Sequence, residues 1–279
     1  MRQLIIEDRQ IHKGLIQLEG KDYRYLRQVL RVRAGDMISV RLADGSLNNA
    51  TVAKIDEDKR RITLQLCAAT DKGAGEQTDK SITRGVQASK AGGSTKIEYW
   101  LFQFLPRPQK FELIVRQATE CGVAVIVPVI GEYTEKSSAQ AISGAKRERL
   151  ERIIKEARQQ SGSPVDTKVT EPLSLEKAVE LWCTSTPLSD HRDVAFVLSE
   201  RDDCSGNLRT SLQTAGGAEK IKRAAIAVGS EGGISPDEVK LLEEKGLFVP
   251  VHFDVNILRC ETAALYGIAA VQTMILGGV

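Results

Sequence analysis

The sequence predicts an α/β protein preceded by a small antiparallel β-barrel. Three observations support this prediction: short apolar runs between turn residues over 36–66, a polar stretch of small residues over 71–95, and strands alternating with helices from residue 97 onward. Closely spaced strands are typical of a barrel, whereas alternating strands and helices are typical of a parallel sheet covered by helices. With 279 residues, the chain is long enough for two domains.

One helix and three strands are predicted in the N-terminal part. Over 22–32, apolar residues share one face and arginines share another, at the spacing of an amphipathic helix. The strands are predicted over 37–42, 50–55 and 61–66. Asp44-Gly45 between the first two is a strong hairpin signal. The stretch 71–95 has almost no large apolar residue and is interpreted as a linker or mobile loop.

The C-terminal part alternates between the two kinds of element. Strands are predicted over 97–105, 123–130, 194–198, 224–228 and 247–251. Helices are predicted over 109–121, 145–160, 236–245 and 261–276, with another after Ser174. The last helix is apolar nearly all round, so we expect it to lie in the core or in a subunit interface.

The composition excludes several classes of protein. Apolar residues make up 42% and charged residues 27%, which is enough for a folded core. No apolar run reaches the roughly 20 residues of a membrane helix, and the N-terminus lacks the apolar stretch of a secretory signal. The five cysteines form no Cys-x-x-Cys pair and the three histidines lie far apart, which argues against disulfides and a metal site. We expect a soluble, cytoplasmic protein with no metal and no membrane partner.

Basic residues are concentrated near the N-terminus. Residues 1–70 contain 13 Lys and Arg against 9 Asp and Glu, whereas the whole chain has a net charge of only +2. A basic surface that contacts phosphate groups is therefore expected in the N-terminal part. The candidates are Arg24, Arg27, Arg31 and Arg33, although an ordinary solvated helix face has the same pattern.

The most informative motif is a glycine-rich loop between a strand and a helix, Gly-Ser-Glu-Gly-Gly over 229–233. Ser235, Pro236 and Glu238 follow it at the spacing of a capping box with proline in the first helical position. The glycine spacing fits neither the dinucleotide-binding pattern nor the P-loop, which disfavours nicotinamide enzymes and P-loop ATPases. The glycines supply either a tight turn or room for a ligand, with Glu231 aimed at a cation or a hydroxyl pair. A sulfonium cofactor suits that chemistry.

A second motif joins the last strand to the last helix. It has the sequence Asn-Ile-Leu-Arg-Cys-Glu-Thr-Ala-Ala over 256–264. Arg259 and Glu261 stand two residues apart within it. The pattern is that of a helix N-terminus with an acidic residue in its first turn, or of a site that combines a cation with a carboxylate.

With both motifs present, the chain resembles the ribosomal RNA small subunit methyltransferase E family, in the SPOUT class of S-adenosylmethionine-dependent enzymes. That family has Gly-Pro-Glu-Gly-Gly before a helix and Ile-Leu-Arg-x-Glu-Thr-Ala near the C-terminus. Further matches are Val29-Leu30-Arg31 with Gly35-Asp36, the segment 110–122 with its Ala-Thr-Glu-Cys-Gly ending, and Glu156-Ala157 with Gln160-Ser161. The resemblance therefore spans most of the chain outside 71–95.

The chain departs from the family pattern at several positions. Ser230 replaces the proline of the glycine loop, and Cys121 replaces a leucine. The Leu-Gly-x-Arg that precedes Ile-Leu-Arg is Phe-Asp-Val-Asn over 253–256 here, and Ser163 stands where an arginine is usual. These changes bear on the backbone of the second motif and on contact with RNA.

The resemblance implies a two-domain architecture. We expect a PUA-like, RNA-binding barrel over 1–70, a linker or mobile loop over 71–95, and a SPOUT methyltransferase domain over 96–279. In that class the parallel sheet is tied into a deep trefoil knot and the protein is a homodimer. We therefore expect 263–276 to pack across the two-fold axis.

The resemblance also implies a bound S-adenosylmethionine, held by three loops at the knot. Carried over to this sequence, the cofactor-binding residues are Leu198, Ser199, Glu200, Gly229, Ser230, Glu231, Gly232, Gly233, Phe253, Asp254, Val255, Asn256, Ile257, Leu258, Thr262 and Ala263. No metal is implied.

The implied reaction is methyl transfer from S-adenosylmethionine to N3 of a uridine in 16S ribosomal RNA, free or in the small ribosomal subunit. Arg259 and Glu261 are the catalytic candidates. Arg259 would stabilise charge on a uracil oxygen or bind a phosphate, while Glu261 would accept a proton or hold Arg259 in place. The arginines of the N-terminal helix would bind RNA phosphates.

The sequence is also compatible with two alternative functions. One is another SPOUT activity, such as ribose 2′-O-methylation of transfer RNA. The other is a non-catalytic RNA-binding factor for ribosome assembly that keeps the fold.

Overall fold

The computed structural model describes most of the chain. The described residues are 3–7, 10–12, 14–67, 97–135, 138, 142, 145–185, 192–199, 208–214 and 220–277. The predicted linker over 71–95 lies outside them.

The chain forms two compact units. The first comprises Met1–Lys90 with Arg158–Pro164, and the second comprises Ala91–Ala157 with Val165–Val279. The predicted domain boundaries placed 158–164 in the C-terminal domain. The buried Gln3 side chain explains the difference, because its Nε2 donates to the carbonyl of Arg158 at 3.0 Å and to that of Ser163 at 3.2 Å.

The first unit is built on a mixed six-stranded sheet. Its strands are β1 (Leu4–Ile5), β2 (Ile11–His12), β3 (Leu15–Leu18), β4 (Met37–Arg41), β5 (Leu47–Asp56) and β6 (Arg61–Leu66). Their order is β1-β4-β5-β6-β3-β2, with β1 parallel to β4 and the other neighbours antiparallel. The sequence predicted β4, β5 and β6, including the hairpin turn at Gly45, but missed the three short strands.

One helical segment covers this sheet. It consists of α1 (Gly20–Arg24) and a π-helical continuation (Tyr25–Leu30). Leu26 is fully buried in the core of the unit, which confirms the predicted apolar face. The prediction of a helix to residue 32 is wrong at its end, because Arg31 adopts the left-handed conformation with φ of 53° and stops the helix.

The second unit is built on a parallel sheet of seven strands. They are β7 (Glu98–Phe104), β8 (Val125–Ile130), β9 (Lys168–Val169), β10 (Leu173–Ser174), β11 (Arg192–Leu198), β12 (Ile221–Val228) and β13 (Val249–Val251). Their order is β10-β8-β7-β12-β11-β13, with β9 also paired to β8. Every pairing in this sheet is parallel, as predicted.

The described residues of this unit also form six helices. They are α2 (Pro108–Glu120), α3 (Ala145–Ser161), α4 (Leu175–Thr184), α5 (Leu208–Thr214), α6 (Pro236–Gly246) and α7 (Cys260–Leu276). Ser174 caps α4, and the predicted capping box at Ser235 and Glu238 begins α6. The last strand was predicted from residue 247, but Leu247 is a left-handed helix cap, so β13 begins two residues later.

The sheet has a hydrophobic core on each face. Alternate residues of β7 point to opposite sides, so Leu101 packs with α2, α3, α5 and α7, while Phe102 packs with α4 and α6. The last helix, α7, buries Ile268 and Val271 in the first of these cores. This confirms the α/β fold class. The trefoil knot and the packing of 263–276 across a two-fold axis stay predictions.

No helix in the part of the chain that the structure describes is long and apolar enough to cross a membrane.

Candidate active site

A cavity of about 400 Å³ opens at the carboxyl ends of β11, β12 and β13 in the second unit. Ser199, Gly229 and His252, which directly follow these three strands, line it. Because the strands are parallel, the loops that follow them meet at one edge of the sheet. Ligands of open α/β sheets bind at this edge. The cavity is therefore the candidate site.

The structure brings most of the predicted cofactor-binding residues to this cavity. Those that line it are Leu198, Ser199, Gly229, Ser230, Glu231, Gly233, Phe253, Val255, Asn256, Ile257, Leu258 and Ala263. Gly232, Asp254 and Thr262 do not line it, and Glu200 lies outside the described residues. The two motifs, separated by more than 20 residues in sequence, line this one cavity.

The glycine loop is a tight turn whose backbone has no room for side chains. The N–H of Gly233 donates to the carbonyl of Ser230 at 3.1 Å, and Gly233 has φ of 80°. Beneath the loop, the fully buried Gln103 donates from Nε2 to the carbonyl of Gly229 at 3.1 Å. This turn exposes backbone groups to the cavity, as close approach to a ligand requires.

The departures from the family pattern do not strain the backbone. Asp254 replaces a glycine and Ser230 a proline, yet neither residue has a positive φ. Ser230 is buried, and its hydroxyl accepts from the N–H of Gly232 at 3.4 Å. The local conformation therefore tolerates both changes.

The loop before α7 forms the other side of the cavity. The ring Nδ1 of His252 donates to the carbonyl of Ser199 at 3.2 Å and joins this loop to the end of β11. Ile257 is 83% exposed although it lines the cavity. Arg259 is the N-cap residue of α7, and its exposed side chain also lines the cavity.

A cluster of charged side chains adjoins the cavity. The Lys110 Nζ, in the first turn of α2, lies 3.5 Å from a Glu231 oxygen and 3.3 Å from a Glu261 oxygen. The Cys260 thiol donates to Glu261 at 3.3 Å. The backbone N–H of Arg107 donates to Glu231 at 3.2 Å. One ammonium group thus bridges a carboxylate of the glycine loop and a carboxylate of α7.

These contacts perturb the ionisation of three groups. Burial raises the pKa of the Cys260 thiol to about 12, and the nearby carboxylates of Glu261 and Glu231 act in the same direction. Burial also acts to raise the pKa of Glu261, but hydrogen bonds from its own N–H, Cys260 and Lys110 lower it below its usual value. Burial acts to lower the pKa of Lys110, and the neighbouring Cys260, Glu261 and Glu231 outweigh that effect and raise it. At neutral pH the cluster therefore holds an ammonium, a carboxylate at Glu261 and a neutral thiol.

The described residues contain no group of three or more His, Cys, Asp or Glu side chains that would hold a metal ion.

A family model described as an RNA methyltransferase domain matches residues 94–272, which include every residue of this cavity. The chain belongs to this family.

Comparison with individual proteins agrees with the RNA methyltransferase family. The ribosomal RNA small subunit methyltransferase E 2 of Borreliella burgdorferi is 22% identical over 276 residues, covering 99% of this chain and 98% of the relative. The ribosomal RNA small subunit methyltransferase E of Bacillus subtilis is 24% identical over 264 residues, covering 94% and 91%. The resemblance to the E-type methyltransferases is confirmed.

The fold also agrees with a solved structure. A ribosomal RNA small subunit methyltransferase E from Neisseria gonorrhoeae, bound to S-adenosyl methionine, superposes with a TM-score of 0.70. It is 23% identical, and the match covers 98% of each chain. This member of the RNA methyltransferase family thus shares the fold of that structure.

The two predicted catalytic residues of this methyltransferase occupy different places. Arg259 lines the cavity, whereas Glu261 does not and instead contacts Lys110 and Cys260. The role of Glu261 as a proton acceptor or as a holder of Arg259 stays a prediction. Sequence reasoning missed Lys110, although the segment that it begins was part of the resemblance. Its position opposite a carboxylate more than 100 residues away has no signal in the local sequence.

The four predicted RNA-binding arginines lie in the first unit of the methyltransferase. Arg24, Arg31 and Arg33 are exposed. Arg27 is half-buried and donates to the carbonyl of Val32 at 3.0 Å and to Glu57 at 2.6 Å. Three of the arginines are therefore available for phosphates, while Arg27 is committed to contacts within its own unit.

Proposed function

We propose that this methyltransferase transfers a methyl group from S-adenosylmethionine to N3 of a uridine in 16S ribosomal RNA. One observation carries the proposal: the glycine loop and the segment before α7 line a single cavity at the carboxyl edge of the parallel sheet. The substrate, small-subunit ribosomal RNA, is inferred from the names of the relatives, and the cofactor is inferred from the ligand bound to the Neisseria protein. The assignment of uridine N3 as the methylated atom rests on the family resemblance.

The residues present fit S-adenosylmethionine. The cavity combines backbone groups of residues 229–233 with apolar side chains such as Leu198, Phe253 and Leu258, which suits a ligand with a ring system and a polar amino-acid end. Glu231 places a carboxylate in the same cavity, where it favours a cation. When bound, the cofactor supplies a methyl group activated by a sulfonium, and the bond from that carbon to sulfur breaks as the bond to uridine N3 forms.

Residues of the protein must remove the proton from uridine N3 before or during methyl transfer. That nitrogen is a poor nucleophile while protonated, so a carboxylate that accepts the proton and a cation that stabilises the resulting anion both accelerate transfer. Glu231 is a carboxylate that lines the cavity, and Arg259 is an exposed cation that lines it as well. Arg259 would contact a uracil oxygen or an RNA phosphate.

The experiment that tests the function is nucleoside mapping of ribosomal RNA from a strain that lacks the protein. We expect 3-methyluridine to disappear from 16S ribosomal RNA and to return when purified protein and S-adenosylmethionine are added to small subunits from that strain. Loss of a ribose-methylated nucleoside instead would support the other SPOUT activity and contradict the proposal.

Calorimetric titration with S-adenosylmethionine tests the non-catalytic alternative. A folded protein that binds RNA but gives no heat with the cofactor would be an assembly factor rather than an enzyme. We expect binding with a stoichiometry of one cofactor per chain.

We further propose that the protein acts in the cytoplasm as a homodimer. Along α7, Tyr266 and Leu276 are 41% and 75% exposed, and apolar Val255 and Ile257 are exposed next to the site. Large apolar side chains exposed on the last helix and beside the site are what an interface with a second chain would cover. Light scattering at micromolar concentration should give the mass of two chains, and the mass of one chain would contradict the dimer.

A further inference from the structure

Lys110 occupies a position in its helix that requires a specific partner. It lies in the first turn of α2, where the helix dipole is positive and a cation is unfavourable. No residue of that turn is acidic. The two carboxylates that compensate for it, Glu231 and Glu261, come from the glycine loop and from α7. The lysine is thus held in place by the site rather than by its own helix.

The geometry leaves one donor of the ammonium group for a ligand. A lysine ammonium has three N–H donors. The Nζ lies within ion-pair distance of the carboxylates of Glu231 and Glu261, and it donates to the Sγ of Cys260 at 4.0 Å, the limit for a hydrogen bond to sulfur. Lys110 also lines the cavity. Because sulfur is a weak acceptor, a ligand carbonyl that enters the cavity would take that donor.

We propose that Lys110 is a catalytic residue whose ammonium, oriented by Glu231 and Glu261, donates a hydrogen bond to a carbonyl oxygen of the target uracil. The inference rests on the proposed function and goes beyond it by naming the group that touches the nucleobase. Glu261 is a positioning residue, because it acts through Lys110 and does not line the cavity.

The chemistry of uracil explains why an ammonium belongs there. When N3 loses its proton, the negative charge spreads to the two carbonyl oxygens beside it. The Lys110 ammonium stabilises that charge, and the N3 proton passes to the carboxylate of Glu231 and from there to water. The charged and titratable groups that face Lys110 are Glu231, Glu261 and Cys260, and Arg259 lines the same cavity.

The test compares Lys110→Met with wild type on two RNAs. Small-subunit particles are reconstituted with 16S RNA transcribed from uridine or from 5-fluorouridine, whose N3 proton is more acidic. Single-turnover rates of methyl transfer are measured at saturating cofactor. We expect the substitution to slow transfer to uridine by about a hundredfold. With 5-fluorouridine the defect should shrink to roughly tenfold, because an acidic N3 needs less stabilisation.

Two further variants complete the design. Lys240→Met, on α6, removes a 70% exposed lysine and should leave both rates unchanged. Lys110→Gln keeps an N–H donor without the charge. If Lys110→Met unfolds at a lower temperature than wild type, the transfer rates on the two RNAs are compared for Lys110→Gln instead. For either Lys110 variant, a defect equal on the two RNAs indicates a structural role and overturns the inference.

Failure of the inference and failure of the proposed function give different results. If wild type makes 3-methyluridine while the defect of the Lys110 variants does not depend on the RNA, only the role of Lys110 is contradicted. If wild type makes no 3-methyluridine on either RNA, the proposed function fails, and the role of Lys110 fails with it.

Discussion

Gly229 and Gly233 lie so close together that there is no room for a side chain between them. A Cβ built on Gly229 would be 2.8 Å from both the Cα and the carbonyl carbon of Gly233. Since the obstacle is backbone, it does not move aside as a flexible side chain would. The loop therefore has one shape, set by the contact between its first and last glycines.

Gly229→Ala should abolish or greatly weaken cofactor binding. The added methyl group forces the loop apart and moves the backbone groups that line the cavity. We expect the dissociation constant for S-adenosylmethionine to rise at least tenfold, or about 1.4 kcal/mol, as measured by calorimetric titration. Circular dichroism should show that the fold is retained.

Thr262→Ala is the matched control for this substitution. Thr262 was predicted to bind the cofactor, but its side chain is exposed and does not line the cavity. Its affinity for S-adenosylmethionine should equal that of wild type. A tenfold weaker affinity in Thr262→Ala, or an unchanged affinity in Gly229→Ala, would contradict the placement of the cofactor.

The arginines of the first unit should differ in their contribution to RNA binding. The side chain of Arg31 is exposed, and its backbone is left-handed, a conformation that favours glycine. Arg31→Gly should therefore raise the free energy of unfolding by up to about 1 kcal/mol and still weaken RNA binding. The slope of log affinity against log salt should fall by about one unit for each RNA phosphate that the protein no longer neutralises.

Arg27→Ala serves as the comparison in the same titration. Its guanidinium contacts Glu57 and the carbonyl of Val32, so the substitution should lower the free energy of unfolding by about 1 kcal/mol. We expect it to change the salt slope less than Arg31→Gly does. The reverse order of slopes would assign the phosphate contact to Arg27.

Local sequence patterns predicted the parts of this structure that local physics determines. The glycine loop and the capping box at Ser235 depend on residues within a few positions of one another, and both are confirmed. The parallel sheet followed from apolar strands alternating with amphipathic helices. Both motifs then lie at one edge, because the loops that follow the strands of a parallel sheet leave it on the same side, here on either side of β11.

The parts that were missed depend on contacts between distant residues. Lys110 becomes part of the site only because α2 begins beside the loops that carry Glu231 and Glu261. Similarly, 158–164 joins the first unit through hydrogen bonds from Gln3, more than 150 residues earlier in the chain. Neither contact leaves a periodic or local trace in the sequence.

Cys260 should be the least reactive of the described cysteines. Its pKa is raised to about 12, and it is only 5% exposed, whereas Cys67 and Cys183 are exposed. At pH 8 the shift alone reduces its thiolate fraction roughly a thousandfold. Peptide mapping after brief treatment with iodoacetamide should find Cys67 and Cys183 modified and Cys260 intact. In urea all of them should react, and equal labelling of Cys260 in the native protein would contradict its burial.

The ion pair between Glu261 and Lys110 should make stability depend on acid pH. The pKa of Glu261 is lower in the folded protein than in the unfolded chain, where a glutamate has a pKa of about 4.3. The stabilisation is therefore fully present above that value and is lost as pH falls through the lower, folded pKa. Glu261→Gln should reduce the free energy of urea unfolding by about 1 kcal/mol at pH 7.

The same measurement at low pH tests the cause of this destabilisation. As wild-type Glu261 becomes protonated, the difference between wild type and Glu261→Gln should disappear. Glu180→Gln, which changes an exposed carboxylate on α4, should resemble wild type at every pH. A difference for Glu261→Gln that persists unchanged at pH 3 would show that the substitution acts through packing, and that Lys110 gains nothing from the charge of Glu261.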